Sequence, residues 1–129
     1  MDLPSSRHES RVLAQSNNAP ALARRFVSST LDAWGVQDAC ADMPLVTSEL
    51  VTNAVRHAGS EVDVSLDLTA DRVRLEVTDA CAQPPVLREP NGARDGGWGM
   101  HIVALLASQW GLDARSDGKT VWCEVKLHA

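Results

Sequence analysis

Glu49 and Asn53 stand four residues apart in the stretch Ser48-Glu49-Leu50-Val51-Thr52-Asn53-Ala54-Val55-Arg56-His57-Ala58. That spacing stacks two side chains on one face of a helix, and His57 carries the polar stripe one turn further. A carboxylate at Glu49 can take a proton from an attacking hydroxyl or water. The carbonyl oxygen of Asn53 is a hard donor of the kind magnesium accepts, with phosphates and water completing the octahedron. Taken alone, the same stripe also reads as a solvated helix face. Thr78-Asp79 closes a run in which Val73, Leu75 and Val77 alternate with Arg74 and Glu76. An acid at a strand end forms a turn, or accepts a charge-assisted hydrogen bond from a ligand amino group worth about 1.5–3 kcal/mol.

Gly96-Gly97-Trp98-Gly99-Met100 stands where a long loop enters an apolar, helix-like segment. That position offers a phosphate both free backbone amides and the positive end of a helix dipole, and glycine permits close approach. Helix starts also use glycine for conformational reasons alone. Arg88 and Arg94 precede this stretch, either solvated or placed to neutralise phosphate charge, and Gly118-Lys119-Thr120-Val121 fits a hairpin turn as well as a ligand contact. His8, His57 and His101 lack metal-ligand spacing, and no G-x-S-x-G appears, which argues against zinc and acyl-transfer chemistry. Cys40, Cys81 and Cys123 are odd in number and never form C-x-x-C, so they read as reduced structural thiols.

The elements that must position these groups follow from periodicity. Val12–Ala14 opens a short edge strand. Asn17, Asn18 and Pro20 start a helix through Leu22, Phe26, Leu31 and Trp34 that Gly35 ends. Asp42 caps a second helix, with Pro44 in its first turn and Leu45, Val46, Leu50, Ala54 and Val55 on its buried stripe, and Gly59 stops it. Strict alternation over Val62–Leu68 and Val73–Val77, joined by Ala70-Asp71, predicts a hairpin with one wet face. The segment from Asp79 to Gly97 carries three prolines and is too long and broken for regular structure; loops above about 12 to 15 residues are usually functional or disordered. Gly99 leads into a third helix ending at Gln109-Trp110-Gly111, and two closing strands bracket Asp117-Gly118. Helices interleaved with hairpins predict an α+β fold, a two-layer sandwich with helices on one face of a mixed, mostly antiparallel sheet. Neither βαβ alternation nor a G-x-x-x-x-G-K-[ST] loop supports a Rossmann or P-loop fold.

With 129 residues the chain holds one domain's worth of core, expected over residues 11–129 behind a flexible tail of residues 1–10. At 44% apolar and 22% charged the composition is that of an ordinary globular protein. A net charge of -5 opposes counterion-driven nucleic-acid binding and suits a protein partner better. The first residues, MDLPSSRHES, carry no signal or transit pattern, and the best apolar run, Ile102–Ala107, is far below the roughly 18 residues of a membrane span. A cytoplasmic protein that does not enter membranes is expected.

Order and separation of these motifs resemble the histidine-kinase-like ATPase superfamily with the Bergerat ATP-binding fold, which includes histidine kinases, gyrase and the MutL proteins. The small size, the Ser48–Ala58 stretch, Gly97-Trp98-Gly99-Met100 and Gly118-Lys119-Thr120-Val121-Trp122 resemble most the bacterial anti-sigma-factor serine/threonine kinases, over about Arg11 to Val125. The resemblance implies that Glu49 is the catalytic base and Asn53 the magnesium ligand. By the same token Asp79 reads the adenine amino group, Gly97 and Gly99 hold the phosphates below a lid at 84–96, and Thr120 lies near the adenine. His57 and Met100 join the nucleotide-binding set. It further implies bound ATP with Mg²⁺, transfer of the γ-phosphoryl group to a serine or threonine of an anti-sigma antagonist, control of a sigma factor, and a homodimer. A non-catalytic module that captures its partner according to nucleotide state is the alternative, and a degenerate domain with an empty pocket a third. The superfamily commonly reads D-x-G-x-G after its acid, whereas this chain reads Asp79-Ala80-Cys81-Ala82-Gln83, with side chains where glycines are expected. In this sequence no helical dimerisation domain bearing a phosphorylatable histidine precedes the motifs, so the histidine-kinase branch is the less expected of the two.

Overall fold

The computed structural model describes residues 6–59, 61–80 and 109–127. In chain order these form β1 (Arg7–Leu13), α1 (Ala19–Ala33), α2 (Met43–Ala58), β2 (Val62–Leu68), β3 (Arg72–Asp79), β4 (Gln109–Arg115) and β5 (Gly118–Lys126). The strands make one five-stranded sheet in the order β1-β2-β3-β5-β4. Every pairing among the described residues is antiparallel, so the parallel component of the expected mixed sheet is not among them. The two helices pack on each other and on one face of this sheet, giving the expected α+β sandwich.

The period of two in β2 and β3 decides which face that is. Val64 pairs with Val77, Leu66 with Leu75 and Leu68 with Val73, and Leu75 then pairs with Cys123 and Val77 with Val121. All of these are buried, several completely. Each such aliphatic side chain contributes about 1.5–3 kcal/mol on leaving water. On α1 the buried Ala19, Ala23, Val27, Thr30 and Leu31 recur at helical spacing. On α2 Met43, Val46, Leu50, Val51 and Ala54 do the same, and buried Thr47 satisfies its hydroxyl by donating to the Met43 carbonyl at 2.8 Å. No helix among the described residues is long and apolar enough to cross a membrane.

Both helices stop where glycine predicts. Gly35 (φ 74°) follows α1, with its N–H donating to the Asp32 carbonyl and that of Val36 to the Leu31 carbonyl, a Schellman closure. Gly59 (φ 64°) ends α2 in the left-handed region. The starts differ from expectation. Asp42 occupies the N-cap of α2, yet makes no capping hydrogen bond, because its backbone is helical (φ -93°, ψ -5°) rather than extended as a capping side chain requires. The edge strand begins at Arg7 instead of Val12, so residues 7–10, expected in the leading tail, pair with β2. Gln109, Trp110 and Gly111, expected at the end of a third helix, instead open β4; the rest of that helix lies outside the described residues. The reason is packing against β5: Gly111 lies opposite Trp122, and a Cβ there would stand 2.6 Å from the indole.

The sheet's other face is charged. Arg72 and Arg74 both donate to Glu124, at 3.0 and 2.8 Å, and the Arg74 guanidinium lies 4.2 Å above the Trp122 ring. Trp122 is thus held between a cation and the bare backbone of Gly111. Substituting Gly111→Ala is expected to displace the indole and lower the melting temperature by several degrees, read by tryptophan fluorescence and thermal unfolding.

Burial also governs the two described thiols. It pushes Cys40 up to about 11 and Cys123 up to about 12, both free and buried. An unfolded thiol ionises near pH 8.5, so above that value the folded state holds protons that the unfolded state releases. Stability therefore falls as pH rises from about 9 toward 11, by up to about 1.4 kcal/mol per pH unit for each thiol, with no thiol contribution to the slope below about pH 8. Denaturant midpoints at pH 8, 9 and 10 check this, and Cys123→Ala should flatten the decline.

Candidate functional site

The polar stripe of α2 begins with side chains that serve the helix itself. Ser48 donates to the Leu45 carbonyl at 3.0 Å and Thr52 to the Ser48 carbonyl at 2.7 Å. Glu49 and Asn53, the expected base and magnesium ligand, lie on the same helix. Glu49 is half-buried, and Asn53, one turn on, is buried at 8% exposure. Asn53 makes other contacts, while its Oδ1 is a buried acceptor to which no described group donates a hydrogen bond. His57 lies on the final turn of α2, its side chain outside the described residues.

Asp79 is the last residue of β3 and continues the line Val73, Leu75, Val77 on the helix-covered side of the sheet. The apolar ladder thus ends in a buried carboxylate, whose burial is costly without a partner. The partner is Lys119, its register mate on β5: Nζ donates to Oδ1 at 3.0 Å and to Oδ2 at 2.9 Å, with 6% and 3% of the lysine and aspartate side chains exposed. Removing one member of such a pair costs about 3–5 kcal/mol. Gly118 makes the approach possible, since a Cβ there would fall on the Asp79 carbonyl oxygen. The glycine of Gly118-Lys119-Thr120 is therefore a close-packing requirement as well as a turn residue.

Thr120, expected near the adenine, lies one rung from Asp79 on β5. Successive strand residues point to opposite faces, and Thr120 pairs with Thr78 on the face away from the helices, their hydroxyl oxygens 2.8 Å apart. Arg115 Nη2 donates to the Thr120 hydroxyl at 3.3 Å. Thr120 thus ties β3 to β5 one rung from Asp79, and the residue facing Asp79 is Lys119, which the motif reading left in a turn. Only the strand register could have found it, because the pair is 40 residues apart in sequence.

Asn53 on α2 and Asp79 on β3 both lie on the inner side of their layers, and α2 packs on β3. Gly97, Gly99, Met100, the lid at 84–96, Cys81 and Gln83 lie outside the described residues. Among the described residues no group of three or more His, Cys, Asp or Glu side chains could hold a metal ion. Magnesium is held by one or two protein oxygens plus phosphates and keeps several of its waters. A buried amide oxygen at Asn53, with a carboxylate one turn away, is a donor set of that type.

Comparison with known proteins places this geometry. A curated relative, an uncharacterized protein of Streptomyces coelicolor, is 32% identical over 82 residues, covering 60% of this chain and 78% of the relative. The crystal structure of the RsbU and RsbW domains of Rv1364c from Mycobacterium tuberculosis superposes with a TM-score of 0.72 at 22% identity, over 95% of this chain. This chain spans 34% of that one, and the likeness is one of fold. The family model described as "Histidine kinase-like ATPase domain" matches residues 13–124, from the end of β1 to the middle of β5 and across the Glu49, Asn53 and Asp79 positions. The chain belongs to the histidine kinase-like ATPase domain family, and ATP is the nucleotide that this membership implies.

Proposed function

We propose that the protein is an ATP-dependent serine/threonine kinase of the anti-sigma-factor type, which phosphorylates an anti-sigma antagonist and regulates a sigma factor. The observation that carries this reading is the placement of Glu49 and Asn53 on successive turns of α2, with Asn53 in the interior. Family membership and the fold likeness to a structure containing an RsbW domain support it.

In this reading Asn53 offers its amide oxygen to magnesium, which when bound neutralises charge on the phosphates. Asp79 accepts from the amino group of the adenine. Glu49, half-buried at the margin of the helix, takes the proton of the attacking serine or threonine hydroxyl. The hydroxyl oxygen bonds to the γ-phosphorus, the bond from that phosphorus to the β–γ bridging oxygen breaks, and ADP leaves. Such transfer depends mainly on positioning and electrostatics, which suits residues carried on a packed helix and a strand end.

The test uses the whole chain with radiolabelled Mg²⁺-ATP and a candidate antagonist protein. Wild type is expected to label the antagonist on serine or threonine. Glu49→Ala should lower labelling by about 10²–10⁴-fold while retaining ATP binding, and Asn53→Ala should weaken binding of the Mg²⁺ complex itself. Absence of labelling from wild type, with Glu49→Ala indistinguishable from it, overturns the kinase reading. Nucleotide-dependent capture of the partner without transfer would instead identify a regulatory binding module.

A further inference from the structure

Lys119 is a buried charged group for which the proposed reaction has no use. It is 5% exposed, sits on the helix-covered face and spans both oxygens of Asp79. Nothing in phosphoryl transfer requires an ammonium at the base end of the site. Resting on the reading of Asp79 as the base contact, we propose that Lys119 is an internal competitor for that carboxylate: its ammonium must withdraw before the amino group of a nucleotide can be read, so residue 119 sets nucleotide affinity.

Three observations support this assignment. The Asp79 side chain is 3% exposed, so an incoming base meets no free carboxylate surface while the pair is closed. Both carboxylate oxygens already accept from a charged donor, and a neutral exocyclic amino group is the weaker donor of the two. The neighbour of Lys119 on its other side is Ala114 of edge strand β4, a short and exposed side chain. The register position next to Lys119 on that strand therefore holds no large side chain. In this proposal the ammonium leaves Asp79 by rotation of its flexible four-carbon stem. Partner exchange at one carboxylate is then part of binding, and its cost is subtracted from nucleotide affinity.

The experiment is calorimetric titration of the full-length chain with Mg²⁺-ATP for wild type, Lys119→Met, Lys119→Gln and Lys119→Arg, each first shown to be folded by circular dichroism. Lys119→Gln keeps a neutral donor for Asp79 and serves if the methionine variant does not fold. The proposal expects Lys119→Met and Lys119→Gln to bind ATP about tenfold or more tightly than wild type, and Lys119→Arg, which keeps the charge, to bind no more tightly. Lower stability is common to both readings, whereas a purely structural ion pair predicts unchanged or weaker binding, and that result overturns the proposal while leaving the ATP site intact. Failure of wild type and every variant to bind ATP overturns both. The chain has only two lysines, Lys119 and Lys126, so lysine-Nζ NMR gives a check in the wild type alone. The Lys119 ammonium resonance must shift when ATP saturates the protein, and an unmoved resonance overturns the proposal whatever the variants do.

Discussion

A carboxylate at the end of an apolar ladder needs a partner, and the sheet is arranged so that it has one. The period of two along β3 places Val73, Leu75, Val77 and then Asp79 on the side covered by the helices, so the strand that builds the core also delivers a charge into it. β5 answers with Cys123 and Val121 against the aliphatic residues and Lys119 against the acid. The exchange of an apolar pair for an ionic one happens within a single further rung. It works because Gly118 lets the start of β5 lie on the backbone of Asp79. Register is consequently fixed twice over, since a one-residue slip would turn the apolar row outward and also leave both charges buried without each other.

Helix α2 is the second half of the arrangement and joins two tasks in one element. Its stripe of Met43, Val46, Leu50, Val51 and Ala54 anchors it in the core, and Asn53 lies in the flank of that stripe. In the proposed reading, where Asn53 holds magnesium, a rigid, well-packed helix is the better support, because its backbone geometry does not adjust when the ligand arrives. The internal hydrogen bonds of Thr47, Ser48 and Thr52 occupy their hydroxyls within the helix, leaving Glu49 and Asn53 as the polar groups of the Glu49–Asn53 stretch suited to ligand chemistry.

Much of the fold was legible because its signals are local. Alternation in β2 and β3 needs only neighbouring residues, the glycines at 35 and 59 mark helix ends through backbone conformation alone, and a prediction of two helices on one face of a sheet follows from faces that must be covered. The errors fell where a distant partner decides. Gln109–Gly111 carry no strand signal of their own, and Gly111 belongs in β4 because Trp122 needs a neighbour without a side chain. Asp42 has the right chemistry for a cap, but the preceding turn runs straight into the helix and leaves its backbone in the wrong conformation.

The sequence by itself determined the period of each described helix and of the β2–β3 hairpin, the stacking of Glu49 and Asn53, and the presence of an acid at the end of β3, since each depends on residues within a few positions of one another. The tertiary structure alone decided that β5 inserts between β3 and β4, that Lys119 and not Thr120 meets Asp79, and that the Arg72, Arg74 and Glu124 network lies on the far side. Those outcomes are set by strand register, across 40 residues of chain for the Asp79–Lys119 pair, and register is a property of the closed sheet, fixed only when every apolar row is turned inward at the same time.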